Sequence, residues 1–183
     1  MTLPVREAGA SPVMENPVLT DLPARALLAV DGEGAPEDHP FTAAVRALFA
    51  VRAALGAPAD VPLEGTYAQD GDPLRFDLDA PAGWHWTLAL PAPPDRSAAA
   101  VATAGERFGA PVELRAEPAR RVAELLHRGP YADERPSLDA LYGFVAAQGL
   151  RPAGPHTEVY LTDPATTAPA DNRTVLRVPV LGS

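Results

Sequence analysis

One carboxylate, Glu158, lies in a segment whose side chains alternate between polar and apolar types. The segment runs from His156 to Thr162, and alternation over this length predicts a half-buried strand. A strand places His156 and Tyr160 on the same face as Glu158 because each is two residues away. A carboxylate in an apolar groove has a raised pKa and can act as a general base or bind a cationic ligand. The alternative is a solvated strand carboxylate without a chemical role.

A second carboxylate, Glu64, lies in a segment similar to the one around Glu158. Residues 63–67 (LEGTY) and 157–160 (TEVY) both place a Glu shortly before a Tyr. If the two segments are counterparts in a duplicated fold, Glu64 faces the same groove as Glu158. Two carboxylates in one pocket divide their roles, since one stays ionised while the other holds a proton. The alternative is a turn residue beside Gly65 that caps local backbone N–H groups.

Aromatic side chains supply the walls that a flat ligand needs. Trp84 and Trp86 alternate with His85 in a predicted strand, so the indoles share one face and His85 is expected on the solvated face. Tyr131 follows Gly129-Pro130 in a loop, where its hydroxyl can donate to a ligand carbonyl. Each ring is alternatively an ordinary core residue. The candidate catalytic residues are Glu158, Tyr131 and Glu64, and the candidate ligand-binding residues are Trp84, Trp86, Tyr67, Tyr160, Phe41 and His156.

Composition excludes several other kinds of site. There is no Cys, and the four His lack metal-ligand spacing, so neither a thiol nucleophile nor a metal site is predicted. The Gly32 and Gly34 pair lacks the Lys of a phosphate-binding loop, and no cofactor is expected. A net charge of −9 argues against a nucleic-acid partner. No apolar run reaches about 18 residues and no secretory signal is recognisable, so a cytoplasmic protein without a membrane partner is expected.

Two stretches of about 70 residues each repeat the order strand–helix–strand–strand. An extended lead-in over 1–23 precedes a first half at about 24–94, a helical connector at about 95–111 and a second half at about 112–183. This order predicts one α+β domain of two pseudo-symmetric β-α-β-β units, with an antiparallel sheet, helices on one face and a ligand groove between the halves. The predicted strands are 26–30, 61–69, 83–89, 113–116, 121–126, 156–162 and 174–180, and the predicted helices are 41–55, 97–108 and 137–148.

Short segments in a fixed order make the chain resemble the GyrI-like small-molecule-binding family. They are 30–34 (VDGEG), 62–65 (PLEG), 84–87 (WHWT), 127–131 (HRGPY), 156–164 (HTEVYLTDP) and 173–180 (RTVLRVPV). The resemblance covers nearly the whole chain after the lead-in and points to the branch without a DNA-binding domain. It implies a duplicated β-α-β-β fold with Glu158 at the floor of a ligand groove. The branch often has Trp after Leu-Glu-Gly, whereas Thr66 and Tyr67 follow here, so one wall is expected to differ.

Some members of this branch hydrolyse cyclopropanoid genotoxins, and the resemblance implies the same activity here. The chain is therefore predicted to open the cyclopropane of spirocyclopropyl-cyclohexadienone DNA alkylators, for self-resistance or detoxification. Glu158 would deprotonate a water, and Tyr131, with Tyr160 or Tyr67, would donate to the carbonyl. The two indoles of Trp84 and Trp86 would sandwich the flat ligand.

Two other functions are compatible with the same residues. A protein that sequesters an aromatic drug without reaction would use Glu158 to pair a cation and the aromatic faces for cation–π contact. A gyrase-inhibiting protein would need one continuous acidic face, but the acidic residues are spread over separate loops around 31–38 and 70–79. Either a monomer or a homodimer is expected.

Overall fold

The computed structural model describes residues 15–36, 38–58, 60–70 and 77–182, which form nine strands and three α-helices. The strands are β1 (Val18–Leu22), β2 (Arg25–Glu33), β3 (Leu63–Gln69), β4 (Trp84–Pro91), β5 (Glu113–Glu117), β6 (Arg120–Arg128), β7 (Leu150–Pro152), β8 (His156–Tyr160) and β9 (Arg173–Gly182). The helices are α1 (His39–Ala54), α2 (Ala98–Arg107) and α3 (Arg135–Ala147).

The strands form an antiparallel sheet in the order β1-β6-β9-β8-β3-β4-β2-β5, and β7 pairs with the end of β9. β3 and β8 pair at the centre, and each half continues outward in the same manner, as β3-β4-β2 and as β8-β9-β6. This arrangement is a pseudo-twofold duplication of a β-α-β-β unit. The α+β class and the antiparallel sheet predicted from the sequence are confirmed.

The helices cover one face of the sheet. α1 packs on β2 and β4, α2 packs on β5 and α1, and α3 packs on β6, β7 and β9. Each half has its own core, with Leu28, Leu48 and Leu88 fully buried in the first and Leu141 and Leu176 in the second. In the described part of the chain, no helix is long and apolar enough to cross a membrane.

Two strands were not predicted from the sequence. β1 lies in the stretch interpreted as a lead-in, of which residues 1–14 fall outside the described residues, and it pairs with β6 at the sheet edge. Its segment is flanked by Pro17 and Pro23, and proline content indicates loops unless a strand lies at an edge. β7 has only three residues, which is too few for a period to be recognised.

The sheet must curl, because its two ends are joined by a very short connection. Only Pro118 and Ala119 link β5 to β6, and they span at most about 11 Å between Glu117 and Arg120. In the sheet order β5 and β6 are six strands apart, which is about 29 Å in a flat sheet. The curl closes toward the helix-free face, where Ala29 and Ala89 are buried without any helix over them.

A chain of alternating charges crosses this helix-free face and joins the two halves. Glu64 accepts two hydrogen bonds from Arg25, at 2.5 and 2.6 Å, and its Oε2 lies 3.5 Å from Nη1 of Arg177 in the other half. The carboxylate of Glu64 is buried, so each charge is compensated by its neighbours. In order, the six members are Arg120, Glu117, Arg25, Glu64, Arg177 and Glu124.

Glu64→Gln is expected to lower the free energy of unfolding by about 3 kcal/mol, because it leaves Arg25 and Arg177 facing a neutral group. The matched control is Asp21→Asn, which removes an exposed ion pair to Arg121 and should change the free energy of unfolding little. Urea denaturation of both variants measures the difference. Equal losses in the two variants would show that the charge chain does not hold the halves together.

Candidate functional site

Two carboxyl side chains meet on the helix-bearing face at the centre of the sheet. Glu158 of β8 is 5% exposed, and Glu134, which directly precedes α3, is 1% exposed. Burial raises the pKa of Glu134 to about 10, with further contributions from the negative charge of Glu158 and from the hydrogen bond between the two side chains. At neutral pH Glu134 therefore keeps its proton and donates it to the Glu158 carboxylate.

The corner between β6 and α3 brings Glu134 to this position. Gly129 has a φ of +124°, a region that favours glycine, and a single 3₁₀ turn follows over Tyr131–Asp133. His127 anchors the corner, since its Nε2 donates to the Pro130 carbonyl at 3.1 Å while its Nδ1 lies 3.0 Å from Oγ of Ser137. The Glu134 side chain does not cap its own helix and is free to turn toward the sheet.

Two tyrosines extend the hydrogen-bonding chain from Glu158. The Tyr160 hydroxyl donates to Oε2 of Glu158 at 2.8 Å. The Tyr67 hydroxyl lies 2.5 Å from that of Tyr160 and is the donor of the pair, since the single proton of Tyr160 is already used. Burial, followed by the charge of Glu158, raises the pKa of both phenols well above the ordinary value. Both hydroxyls therefore stay protonated and act as donors.

Tyr131 and His156 complete the surroundings of Glu158. The Tyr131 ring meets that of Tyr160 edge to face, with centroids 5.7 Å apart. Burial, and then the charge of Glu158, raises the pKa of Tyr131 to about 12, so this phenol is also a donor. Nε2 of His156 lies 3.4 Å from Oε1 of Glu158. Of the sequence-predicted residues, the structure brings together Glu158, Tyr131, Tyr67, Tyr160 and His156.

Two glycines make room for the aromatic rings next to the site. A Cβ on Gly65, which pairs with Glu158 across the strands, would lie 2.7 Å from the Tyr67 hydroxyl. A Cβ on Gly32 would lie 2.2 Å from the indole of Trp86. Neither glycine has a positive φ, so space rather than backbone conformation requires them. This accounts for Gly32 in the 30–34 segment and for Gly65 in the 62–65 segment.

Both indoles lie in the core of the first half. Trp86 packs edge to face with Phe41 of α1 at 5.2 Å between centroids. Trp84 contacts Tyr67 at 5.4 Å, and its Nε1 donates to the Asp77 carbonyl at 3.0 Å. Trp84 is thus next to Tyr67 of the site, whereas Trp86 lies over Gly32 of β2 and against Phe41 of α1.

His85 lies on the opposite face of the sheet, as the alternation along β4 predicts. Its side chain is 49% exposed, and its Nδ1 lies 3.4 Å from a carboxylate oxygen of Glu33.

The expectation that Glu64 shares a groove with Glu158 is wrong. In the β3–β8 register Glu158 pairs with Gly65 and Glu64 pairs with Val159, so the two carboxylates project from opposite faces. The sequence contains a sign of this, because Glu64 precedes Tyr67 by three residues whereas Glu158 precedes Tyr160 by two. Residues three apart in a strand lie on opposite faces. The second carboxyl of the site is Glu134 instead.

Sequence reasoning missed Glu134 because it lies among charged residues at a helix start, where a solvated carboxylate is the ordinary case. A weak signal exists, since Glu134 follows Tyr131 by three residues and one helical turn places both side chains on the same side.

The helix-free face carries a separate depression of about 590 Å³. Its lining includes Asp31, Thr66, Thr87 and His85, and it opens at the end of the sheet opposite to the charge chain. Asp31 is engaged there by Arg115 and Thr87. In the described ranges, no group of three or more His, Asp or Glu is arranged to hold a metal ion.

A duplicated α+β fold with an acidic, tyrosine-lined site where its halves meet is that of a small-molecule-binding domain. The chain belongs to the GyrI-like family, whose small-molecule-binding domain matches residues 15–181. The resemblance drawn from the short segments is confirmed.

Solved structures share this fold. An uncharacterised conserved protein from Listeria innocua has a TM-score of 0.79 at 26% identity, covering 92% of this chain and 93% of that one. A hydrolase from Listeria innocua has a TM-score of 0.76 at 25% identity, with the same coverage. The protein SAV2435, bound to tetraphenylphosphonium, has a TM-score of 0.53 at 12% identity, covering 91% and 94%. None of the curated protein sequences matches the chain.

Gly65→Ala is expected to destabilise the fold by about 1–3 kcal/mol, since the new methyl group displaces the Tyr67 ring. The control is Gly143→Ala in α3, where a Cβ meets open space and helix propensity predicts a gain of about 0.5–1 kcal/mol. Chemical denaturation compares the two. A Gly65→Ala variant as stable as the wild type would contradict the proposed packing of Tyr67.

Stability is expected to fall with rising pH because of Glu134. Its pKa is raised from 4.5 to about 10 on folding, so the folded chain holds a proton that the unfolded chain releases above about pH 5. The folded state therefore loses stability as pH rises from about 5 toward 10. Glu158, Tyr67 and Tyr131 act on Glu134 directly, and Tyr160 and His156 face its partner Glu158.

In Glu134→Gln this decline is expected to be smaller, because glutamine stays neutral at every pH. Free energies of unfolding at pH 5 and pH 8 measure the effect, and Glu33→Gln, at an exposed site, is the control expected to follow the wild type. Parallel profiles for the wild type and Glu134→Gln would rule out a buried neutral carboxyl at position 134.

Proposed function

We propose that this protein is a hydrolase that opens the cyclopropane ring of spirocyclopropyl-cyclohexadienone alkylators. The observation that carries the proposal is a buried carboxylate, Glu158, that Tyr160 and Glu134 hold by hydrogen bonds beside further phenol donors. The likeness to a hydrolase from Listeria innocua at 25% identity supports a hydrolytic reaction. Such a protein would act in the cytoplasm in self-resistance or detoxification.

The reaction requires a base that deprotonates a water molecule and a hydrogen-bond donor that stabilises the negative charge developing on the dienone oxygen. Glu158 takes a proton from a water molecule whose oxygen bonds to the cyclopropane CH₂ carbon. As this C–O bond forms, the strained C–C bond breaks and its electron pair moves into the dienone, which becomes a phenolate. Protonation of the phenolate oxygen gives a phenol, so the net change is the addition of one water. The Tyr131 hydroxyl stabilises the developing charge on this oxygen.

A strained neutral electrophile suits this site, because it brings no further charge to the buried carboxyl groups of Glu134 and Glu158. The half-buried Tyr131 sits on the corner between β6 and α3 and packs edge to face with Tyr160, so a flat ligand ring would lie against these two phenols rather than between them. The ring would then lie over the tyrosines, with Trp84 behind Tyr67.

Incubation with a spirocyclopropyl-dienone alkylator in H₂¹⁸O, followed by mass spectrometry, tests the proposal. We expect a ring-opened phenol that carries ¹⁸O, formed faster than in buffer. Glu158→Gln should lower the rate by a factor of about 100 or more, because glutamine cannot accept the proton. Glu33→Gln, an exposed carboxylate on the helix-free face, should keep the wild-type rate.

Three outcomes would contradict the proposed reaction. They are product formation no faster than in buffer, an undiminished rate in Glu158→Gln, and a stable mass increase of the protein by one alkylator. The last would mean that a side chain, not water, attacks the ring.

The alternative is a protein that binds an aromatic drug without reaction. The observation that favours it is the buried carboxylate of Glu158 among phenol rings, an arrangement that attracts an aromatic cation. Recovery of the unchanged ligand from a tight complex would support this function over hydrolysis.

A further inference from the structure

We propose that Glu134 is the positioning residue of this site, which keeps its own proton and uses it to hold Glu158 as the ionised carboxylate. The effect on turnover rests on the proposed function, whereas the location of the proton does not. The location of the proton can be tested by NMR without substrate, and the positioning role can be tested by turnover.

The Glu134 side chain hydrogen-bonds to Glu158 and does not cap its own helix. It is 1% exposed and does not cap α3, although it occupies the capping position. Its hydrogen bond is made to Glu158. Its other oxygen, Oε1, is buried without a hydrogen-bonding partner among the described residues. A carboxyl group that served only stability would have both oxygens satisfied, since an unpaired buried acceptor is unfavourable.

Charge balance allows only one ionised group in the pair. Two adjacent carboxylates repel each other strongly when both are removed from water. The groups facing the pair are the phenols Tyr67, Tyr131 and Tyr160 and the imidazole of His156. A hydrogen bond between two carboxyl oxygens requires a proton, so the contact between Glu134 and Glu158 places one proton on the pair and lowers the repulsion.

The proton belongs on Glu134 because Glu158 has the better donors. Oε2 of Glu158 accepts a hydrogen bond from the Tyr160 hydroxyl at 2.8 Å. Glu134 receives no such bond, and its Oε1 has no hydrogen-bonding partner among the described residues. Hydrogen bonds to the charged form lower the proton affinity of the group that receives them. Glu158 is thus the base, and Glu134 fixes the direction of its lone pairs toward a bound water.

Carbon-13 NMR of the glutamate carboxyl groups, without any ligand, tests where the proton lies. At neutral pH we expect one signal at the position of a protonated carboxyl in the wild type. This signal should be lost in Glu134→Gln and retained in Asp133→Asn, an exposed neighbour. A wild-type spectrum with every carboxyl ionised, or a protonated signal that survives in Glu134→Gln, would overturn the inference.

Turnover of the alkylator tests the positioning role. Glu134→Gln keeps an N–H donor to Glu158 and should retain kcat within about threefold. Glu134→Leu has a similar size but no donor, and should lower kcat by about 10- to 100-fold with little change in KM. Above pH 10 the wild type should lose activity, as Glu134 loses its proton, while Glu134→Gln does not.

Equal kcat in the Gln and Leu variants would overturn the positioning role. An absence of turnover in the wild type would instead refute the proposed hydrolysis, and the NMR signal would still decide the state of Glu134. The two failures are therefore distinguishable.

Discussion

The antiparallel pairing of β3 with β8 is the constraint on which the rest of this structure depends. It joins the two halves, and its register sets Gly65 opposite Glu158, with Oγ1 of Thr66 and of Thr157 2.8 Å apart at the centre. A slip of one residue would move every side chain of β8 to the other face. Glu158 and Tyr160 would then leave the helix-bearing face, and Glu64 would lose Arg177 of the other half.

The two faces of this sheet treat buried charge in opposite ways. On the helix-free face Glu64 is compensated by Arg25 and Arg177, which makes the charge structural. On the helix-bearing face Glu158 meets phenols, the imidazole of His156 and a second carboxyl group. Buried ionisable groups in contact with one another are typical of functional sites, because they can bind a cation or take a proton. The stabilising carboxylate, Glu64, and the candidate functional carboxylate, Glu158, therefore lie on opposite faces of the same sheet.

Periodicity was sufficient to predict the fold class, the three helices and the face of Glu158, because these depend on local pattern. Periodicity does not predict which residues of two strands pair. The short similarity between residues 63–67 and 157–160 therefore suggests one face for Glu64 and Glu158, although the two carboxylates differ in their spacing to the following Tyr. Glu134 depends on a corner that turns a helix-start carboxylate inward, which local pattern does not encode. Likewise, the need for glycine at positions 32 and 65 can be explained only when the positions of the Trp86 and Tyr67 rings are known, because a Cβ at either position would clash with a ring.

In the proposed reaction, Glu158 and the neighbouring tyrosines bind a flat ligand together with the water that attacks it. A crystal structure with the ring-opened phenol product tests it most directly. We predict that the product hydroxyl lies within hydrogen-bond distance of Glu158 and that the phenol oxygen lies near Tyr131. A product bound instead in the depression on the helix-free face, beside Asp31 and His85, would contradict it.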